Sequence, residues 1–116
     1  MYREPGRLDE TPPHPGEVLR EDILPQLDMS RRKLARHLRI SERCLADLLD
    51  EKLALTPDLG SRLGIALGQG ARYWIGLQAQ YDLWLVSQWE PADIRPLVWQ
   101  KRQKRDSGRA LRKRAA

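Results

Sequence analysis

Five basic residues stand within nine positions, Arg31, Arg32, Lys33, Arg36 and Arg39, with no acid among them. Guanidinium and ammonium groups at that density suit one kind of chemistry: they replace the counterions that surround a phosphate backbone. The next segment, 41–51, has the opposite sign. It carries one base, Arg43, against Glu42, Asp47, Asp50 and Glu51, a net charge of −3. An arginine can bridge the O6 and N7 of guanine, and a carboxylate can accept from the N4 amino group of cytosine. Carboxylates also repel phosphate. Phosphate attraction and base reading are therefore offered side by side, with opposing charge. Arg43 is the candidate reader of guanine; it is equally placed to pair with Asp47 four residues on.

Other chemistries find little support. His14, His37 and Cys44 show none of the spacings that build a zinc site, so no metal is expected. His14 is read as part of a helix cap, His37 as an exposed helix residue and Cys44 as a small filler. No glycine-rich phosphate loop and no nucleophile elbow occurs, and the carboxylates are spread over helix faces, so neither an enzyme nor a cofactor is expected. The single cysteine rules out an internal disulfide framework and fits a reducing, cytoplasmic address. The opening MYREPGRLDETPPHPG has no apolar core and is not expected to be a signal peptide, and no stretch approaches a membrane span.

The chain has 116 residues, enough for one domain with one core; 41% are hydrophobic and 32% charged. The formal charge of +5 is unevenly placed. Residues 101–116 hold eight Lys or Arg against Asp106, a net of +7, which leaves −2 for the first 100 residues. Such a tail is either a solvated, solubilising extension or a second nucleic-acid contact. Leucine occurs 19 times, valine and isoleucine together 8, a bias toward helix over sheet.

Five helices are expected to position these groups. Residues 1–13 read as a flexible arm. In 15–24, Val18, Leu19 and Ile23 form one stripe, Pro15 suits the first turn, and Pro25 ends the helix at about Leu24. Ser30 caps a second helix that turns Leu34, Ala35 and Leu38 inward and its basic residues outward. Ser41 caps a third, with Leu45, Leu48 and Leu49 inward, after a three-residue connection. Two short helices across a tight turn form a helix-turn-helix. Thr56 and Pro57 open a fourth helix, with Leu59, Leu63, Ile65, Ala66 and Leu67 on its apolar side and Gly68 and Gly70 closing it. The fifth, over 71–89, repeats Trp74, Leu77, Tyr81, Trp84 and Leu85 at helical spacing. That stripe exceeds what a small monomer can cover, so these five are read as a homodimer face; the alternative is that Trp74 and Leu77 belong to the core and Trp84 and Trp89 are left for the partner. Residues 90–116 form an extension in which Ile94, Leu97, Val98 and Trp99 could dock; disorder is expected from about 101.

HPGEVLREDIL at 14–24, SRRKLARHLRISERCLADLL at 30–49 and YWIGLQAQYDL at 73–83 together resemble the HigA-type antitoxins, a branch of the Xre and Cro repressor-like proteins. The resemblance spans residues 14–89. It implies an all-α, five-helix, lambda-repressor-like helix-turn-helix domain that forms a homodimer, binds double-stranded DNA at its own operator and neutralises a RelE-like ribonuclease toxin. It implies a phosphate contact from Arg31 at the start of the second helix; Arg32 and Arg36 of the basic cluster are further candidate DNA contacts. Glu42, Arg43 and Asp47 would lie at base edges, and Ser41, Asp50 and Lys52 at phosphates. Two departures stand out. Arg39 occupies the turn position where the family has glycine, at a cost of about 1 kcal/mol if the left-handed conformation is kept. Asp50-Glu51-Lys52 replaces Asn-Gly-Lys, adding two acids where phosphates should pass. Three readings follow: an antitoxin that represses its own promoter, an antitoxin that has lost specific DNA binding, and a stand-alone regulator that binds nucleic acid through its tail.

Overall fold

The computed structural model describes residues 11–89, 91 and 93–100. Its elements are all helical. The first, α1, opens as one α-turn at Pro15–Glu17, widens to a π-helix at Val18–Ile23 and tightens to a 3-10 turn at Leu24–Gln26. Four α-helices follow: α2 Arg31–Leu38, α3 Glu42–Leu49, α4 Pro57–Leu67 and α5 Ala71–Gln88. No strand occurs among the described residues, and none of their helices is long and apolar enough to cross a membrane.

Four of the five starts have a side-chain cap; α5, which follows Gly70, has none. The hydroxyls of Ser30, Ser41 and Thr56 accept from the backbone N–H of Lys33, Cys44 and Leu59 at 3.1, 2.9 and 3.2 Å. Imidazole does the same at α1, where His14 Nδ1 accepts from Gly16 N–H at 2.9 Å. Gly68 ends α4 in the left-handed conformation, at φ 88°. Pro25 does not stop α1. It lies in the first positions of the 3-10 turn, where its missing N–H is not needed, and the helical path runs on to Gln26.

The core is one leucine-rich cluster drawn from every helix: Val18, Leu19 and Ile23 from α1, Leu34, Ala35 and Leu38 from α2, Leu45, Leu48 and Leu49 from α3, Leu59 and Leu63 from α4, and Trp74 and Leu77 from α5, with Leu55 between α3 and α4. Burial of each such leucine contributes about 1.5–3 kcal/mol. Three groups depart from the sequence expectation. Ile65 is 80% exposed, so it does not share the buried side of α4 with Leu59 and Leu63. Ile94, Leu97, Val98 and Trp99 lie outside any helix and are exposed rather than docked. Trp74 and Leu77 are wholly buried within the single chain, which corrects their assignment to a dimer face: they have no surface to offer a partner. Tyr81, Trp84 and Leu85 are half-buried, while Ile75, Leu83 and Val86 of the same helix are exposed. Pro12 is buried against the domain. Residues 1–10 and the basic segment 101–116 lie outside the described residues.

Backbones touch at two points. A Cβ on Gly16 would sit 1.8 Å from the carbonyl oxygen of Leu48, so α1 meets the end of α3 only because residue 16 has no side chain. A Cβ on Gly64 would lie 2.2 Å from the carbonyl carbon of Gly70, and that contact folds α5 back along α4.

Candidate nucleic-acid interface

The connection between α2 and α3 keeps the helix-turn-helix shape with arginine in the position that favours glycine. Arg39 is left-handed, at φ 59° and ψ 45°. Its N–H donates to Arg36 O at 3.1 Å, and the N–H of Ile40 donates to Ala35 O at 3.0 Å. These are the two bonds of a Schellman motif. A third residue, Arg62 of α4, absorbs the cost. Its guanidinium donates to the carbonyls of Leu38 and Arg39 at 3.0 and 3.3 Å and pairs with Asp58 at 2.9 Å. A cation set against the C-terminus of α2 satisfies orphaned carbonyls and opposes the helix dipole. Nothing in the sequence but the Asp58–Arg62 spacing hinted at this.

The end of α3 repeats the device. Glu51 is left-handed at φ 61°, its N–H donating to Leu48 O at 3.0 Å and that of Lys52 to Asp47 O at 2.8 Å. Arg20 of α1 holds this end. It donates to the carbonyl of Leu49 and pairs with Glu51 at 3.1 Å and Glu21 at 2.7 Å. The two carboxylates raise the Arg20 pKa above the usual arginine value.

The acids of the α3 segment are therefore not all free. Glu42 lies 3.4 Å from Arg32, Asp47 lies 3.2 Å from Arg43, and Glu51 is engaged by Arg20. Among the described residues only Asp50 of the four has no ion-pair partner. On the basic side, Arg31, Lys33, Arg36 and Arg39 are exposed and none forms an ion pair with a described residue. Among the described residues the local charge thus separates: α2 presents four cations without an ion-pair partner, and α3 presents acids largely matched by arginines.

The proposed contact residues divide accordingly. Arg31, Arg32 and Arg36 line the exposed side of α2, and Ser41, Glu42 and Arg43 stand at the exposed start of α3. The Arg43 side chain is 85% exposed. Asp47 sits lower, 31% exposed, and faces Arg43. Asp50 and Lys52 are exposed at the far end of α3. Cys44 is half-buried against the core as a filler, and His37 is exposed on α2. No three His, Cys, Asp or Glu side chains among the described residues cluster as a metal site.

The first and last of the three sequence motifs meet in space. The ring of His14 packs edge-on to Tyr81, with centroids 4.9 Å apart. Burial pushes the His14 pKa below the usual histidine value of 6.5, against the smaller opposing pull of Glu51 and Asp82. Gln78 is buried, accepting from the N–H of Leu55 at 2.7 Å and donating to Asp82 at 2.8 Å. Trp74 donates its indole N–H to Gln69 at 3.1 Å. These contacts tie α1, the α3–α4 connection and α5 together.

The fold and this surface define an all-α helix-turn-helix protein. No family model matches the chain. Virulence-associated protein I of Dichelobacter nodosus is 35% identical over 75 residues, 65% of this chain and 69% of that protein. The uncharacterized HTH-type transcriptional regulator YddM of Escherichia coli K12 is 34% identical over 71 residues, 61% of this chain and 74% of its own length. The solved antitoxin HigA of Pseudomonas aeruginosa, with the higBA promoter, is 33% identical, with a TM-score of 0.65 over 75% of this chain and 99% of that one. The chain belongs to the Xre-like helix-turn-helix antitoxin family.

Proposed function

We propose that this protein is a HigA-type antitoxin that binds double-stranded DNA upstream of its own gene and represses it. It acts as a cytoplasmic, non-enzymatic homodimer and also neutralises a RelE-like ribonuclease toxin. The observation that carries the DNA reading is the pairing of Glu42, Asp47 and Glu51 with Arg32, Arg43 and Arg20. Unpaired, those acids would repel the phosphates that Arg31, Arg36 and Arg39 attract. Paired, they leave α3 able to enter a groove between basic flanks. The relative solved with promoter DNA supports the same use of the fold. The toxin partner rests on the family alone, and the homodimer on the exposed Ile75, Leu83 and Val86 of α5.

The test is fluorescence anisotropy of the full chain on its own upstream DNA and on a scrambled duplex, over a salt series. Preference for its own DNA that persists as salt rises is the expected result. Equal binding to both duplexes, collapsing with salt, would leave only phosphate attraction and overturn the repressor reading. Copurification with the ribonuclease encoded beside it checks the toxin separately.

A further inference from the structure

We infer that Asp47 is a positioning residue for base reading: it holds Arg43 so that the guanidinium faces a guanine end-on. This inference rests on the proposed DNA reading of α3. Its basis is which part of the arginine the aspartate occupies. Arg43 Nε lies 3.2 Å from both Oδ1 and Oδ2 of Asp47, so the single Nε–H is shared between the two oxygens. No described residue accepts from the terminal amino groups. Guanine is read by two parallel N–H donors, to O6 and N7. With Nε tied down, the pair that remains is the end of the fork, aimed away from Asp47 and outward from α3.

Exposure agrees with this division of labour. The arginine side chain is 85% exposed and the aspartate 31%. A residue reading bases in its own right would reach outward; Asp47 is drawn in beneath the side chain it binds. One turn of helix separates the two, the spacing at which side chains on one face meet. A long flexible arginine loses rotamer freedom when it docks, and a carboxylate that already fixes its orientation removes part of that cost. The arrangement also accounts for an acid on a helix that must approach phosphates. Its charge is held against Arg43, and what it loses in general affinity it returns as discrimination at one base pair.

The measurement uses the full chain, its own upstream DNA, a set of duplexes each with one base pair changed, and a scrambled duplex. Asp47→Asn keeps the side-chain volume and removes the charge. If Asp47 positions Arg43, this variant loses about twofold of the preference at one G·C pair, the worth of an exposed pair one helical turn apart. The same variant binds the scrambled duplex more tightly, because a negative charge has gone. Asp47→Glu restores part of the preference. In an Arg43→Lys background, which keeps the charge but not the fork, Asp47→Asn no longer changes discrimination. A uniform gain on every duplex with all preferences intact would overturn the inference, since Asp47 would then be only a repelling charge. Absence of any sequence preference in the unaltered protein would overturn the DNA reading itself and this inference with it, before any variant is made.

Discussion

At the residue scale, His14 is the most informative side chain away from the helix-turn-helix. It caps α1 as a neutral acceptor, and protonation of Nδ1 would replace an acceptor with a donor facing the N–H of Gly16. Its pKa is lowered by burial, with Glu51, Asp82 and Glu17 pulling upward and Arg20 downward. The sign follows from linkage. Below 6.5 the unfolded chain binds a proton that the folded chain resists, so stability rises with pH across that interval. The full contribution is present above about 6.5 and is lost as pH falls from there toward the folded value. Thermal melts should therefore show a decline in Tm on acidification that begins near pH 6.5. His14→Asn, which keeps an acceptor at the cap but cannot titrate, should flatten that interval. An unchanged decline in the variant would assign it to other groups. Reading His14 as a cap was possible from sequence because Pro15 and Glu17 mark a helix start. Its burial against Tyr81, and hence its lowered pKa, depended on a residue 67 positions away.

At the element scale, the helices were legible because caps and leucine spacing act locally. Ser30, Ser41 and Thr56 start the helices they were expected to start. The internal form of α1 was not legible: Pro25 marked a break near its end, but nothing in the spacing of Val18, Leu19 and Ile23 distinguished a π-helix from an α-helix. The sharpest constraint between elements is Gly16. Gly16→Ala would push a methyl group into the Leu48 carbonyl and should cost about 1–3 kcal/mol or more in urea unfolding, as overpacking does. Gly76→Ala on α5, where an added Cβ meets nothing within 4 Å, is the control and should be neutral or slightly stabilising. Equal effects at both sites would contradict the close approach of α1 and α3.

At the scale of the whole molecule, the apolar surplus of α5 is divided differently from the sequence expectation. A helical stripe shows which residues share a side, but not whether the rest of the chain already covers that side. Trp74 and Leu77 were taken by the core, because α4 and α1 close over them. Ile75, Leu83 and Val86 were left bare on the neighbouring side of the helix. The homodimer proposal therefore makes two opposite forecasts. Leu83→Lys should halve the sedimenting mass at micromolar concentration and leave the helices folded. Trp74→Ala should unfold the domain, at a cost of about 3–5 kcal/mol, without acting on association as such. A mass near one chain for the unaltered protein would defeat the dimer.

What the sequence determined by itself was the set of helices, their caps, the two-helix turn and the clustering of cations on α2. All of these arise from interactions between residues a few positions apart, and such interactions can be read from spacing. The fate of the charges on α3 and of the two left-handed residues was settled by contacts between helices. Arg39 is supported by Arg62, and Glu51 by Arg20, from helices 23 and 31 positions away. The sequence showed a recognition segment with a net charge of −3. The fold brings arginines of α1 and α2 to Glu51 and Glu42, while Arg43 of α3 itself meets Asp47. Electrostatic balance is a property of distances in space, and distances between separate helices are not written in the order of residues along the chain.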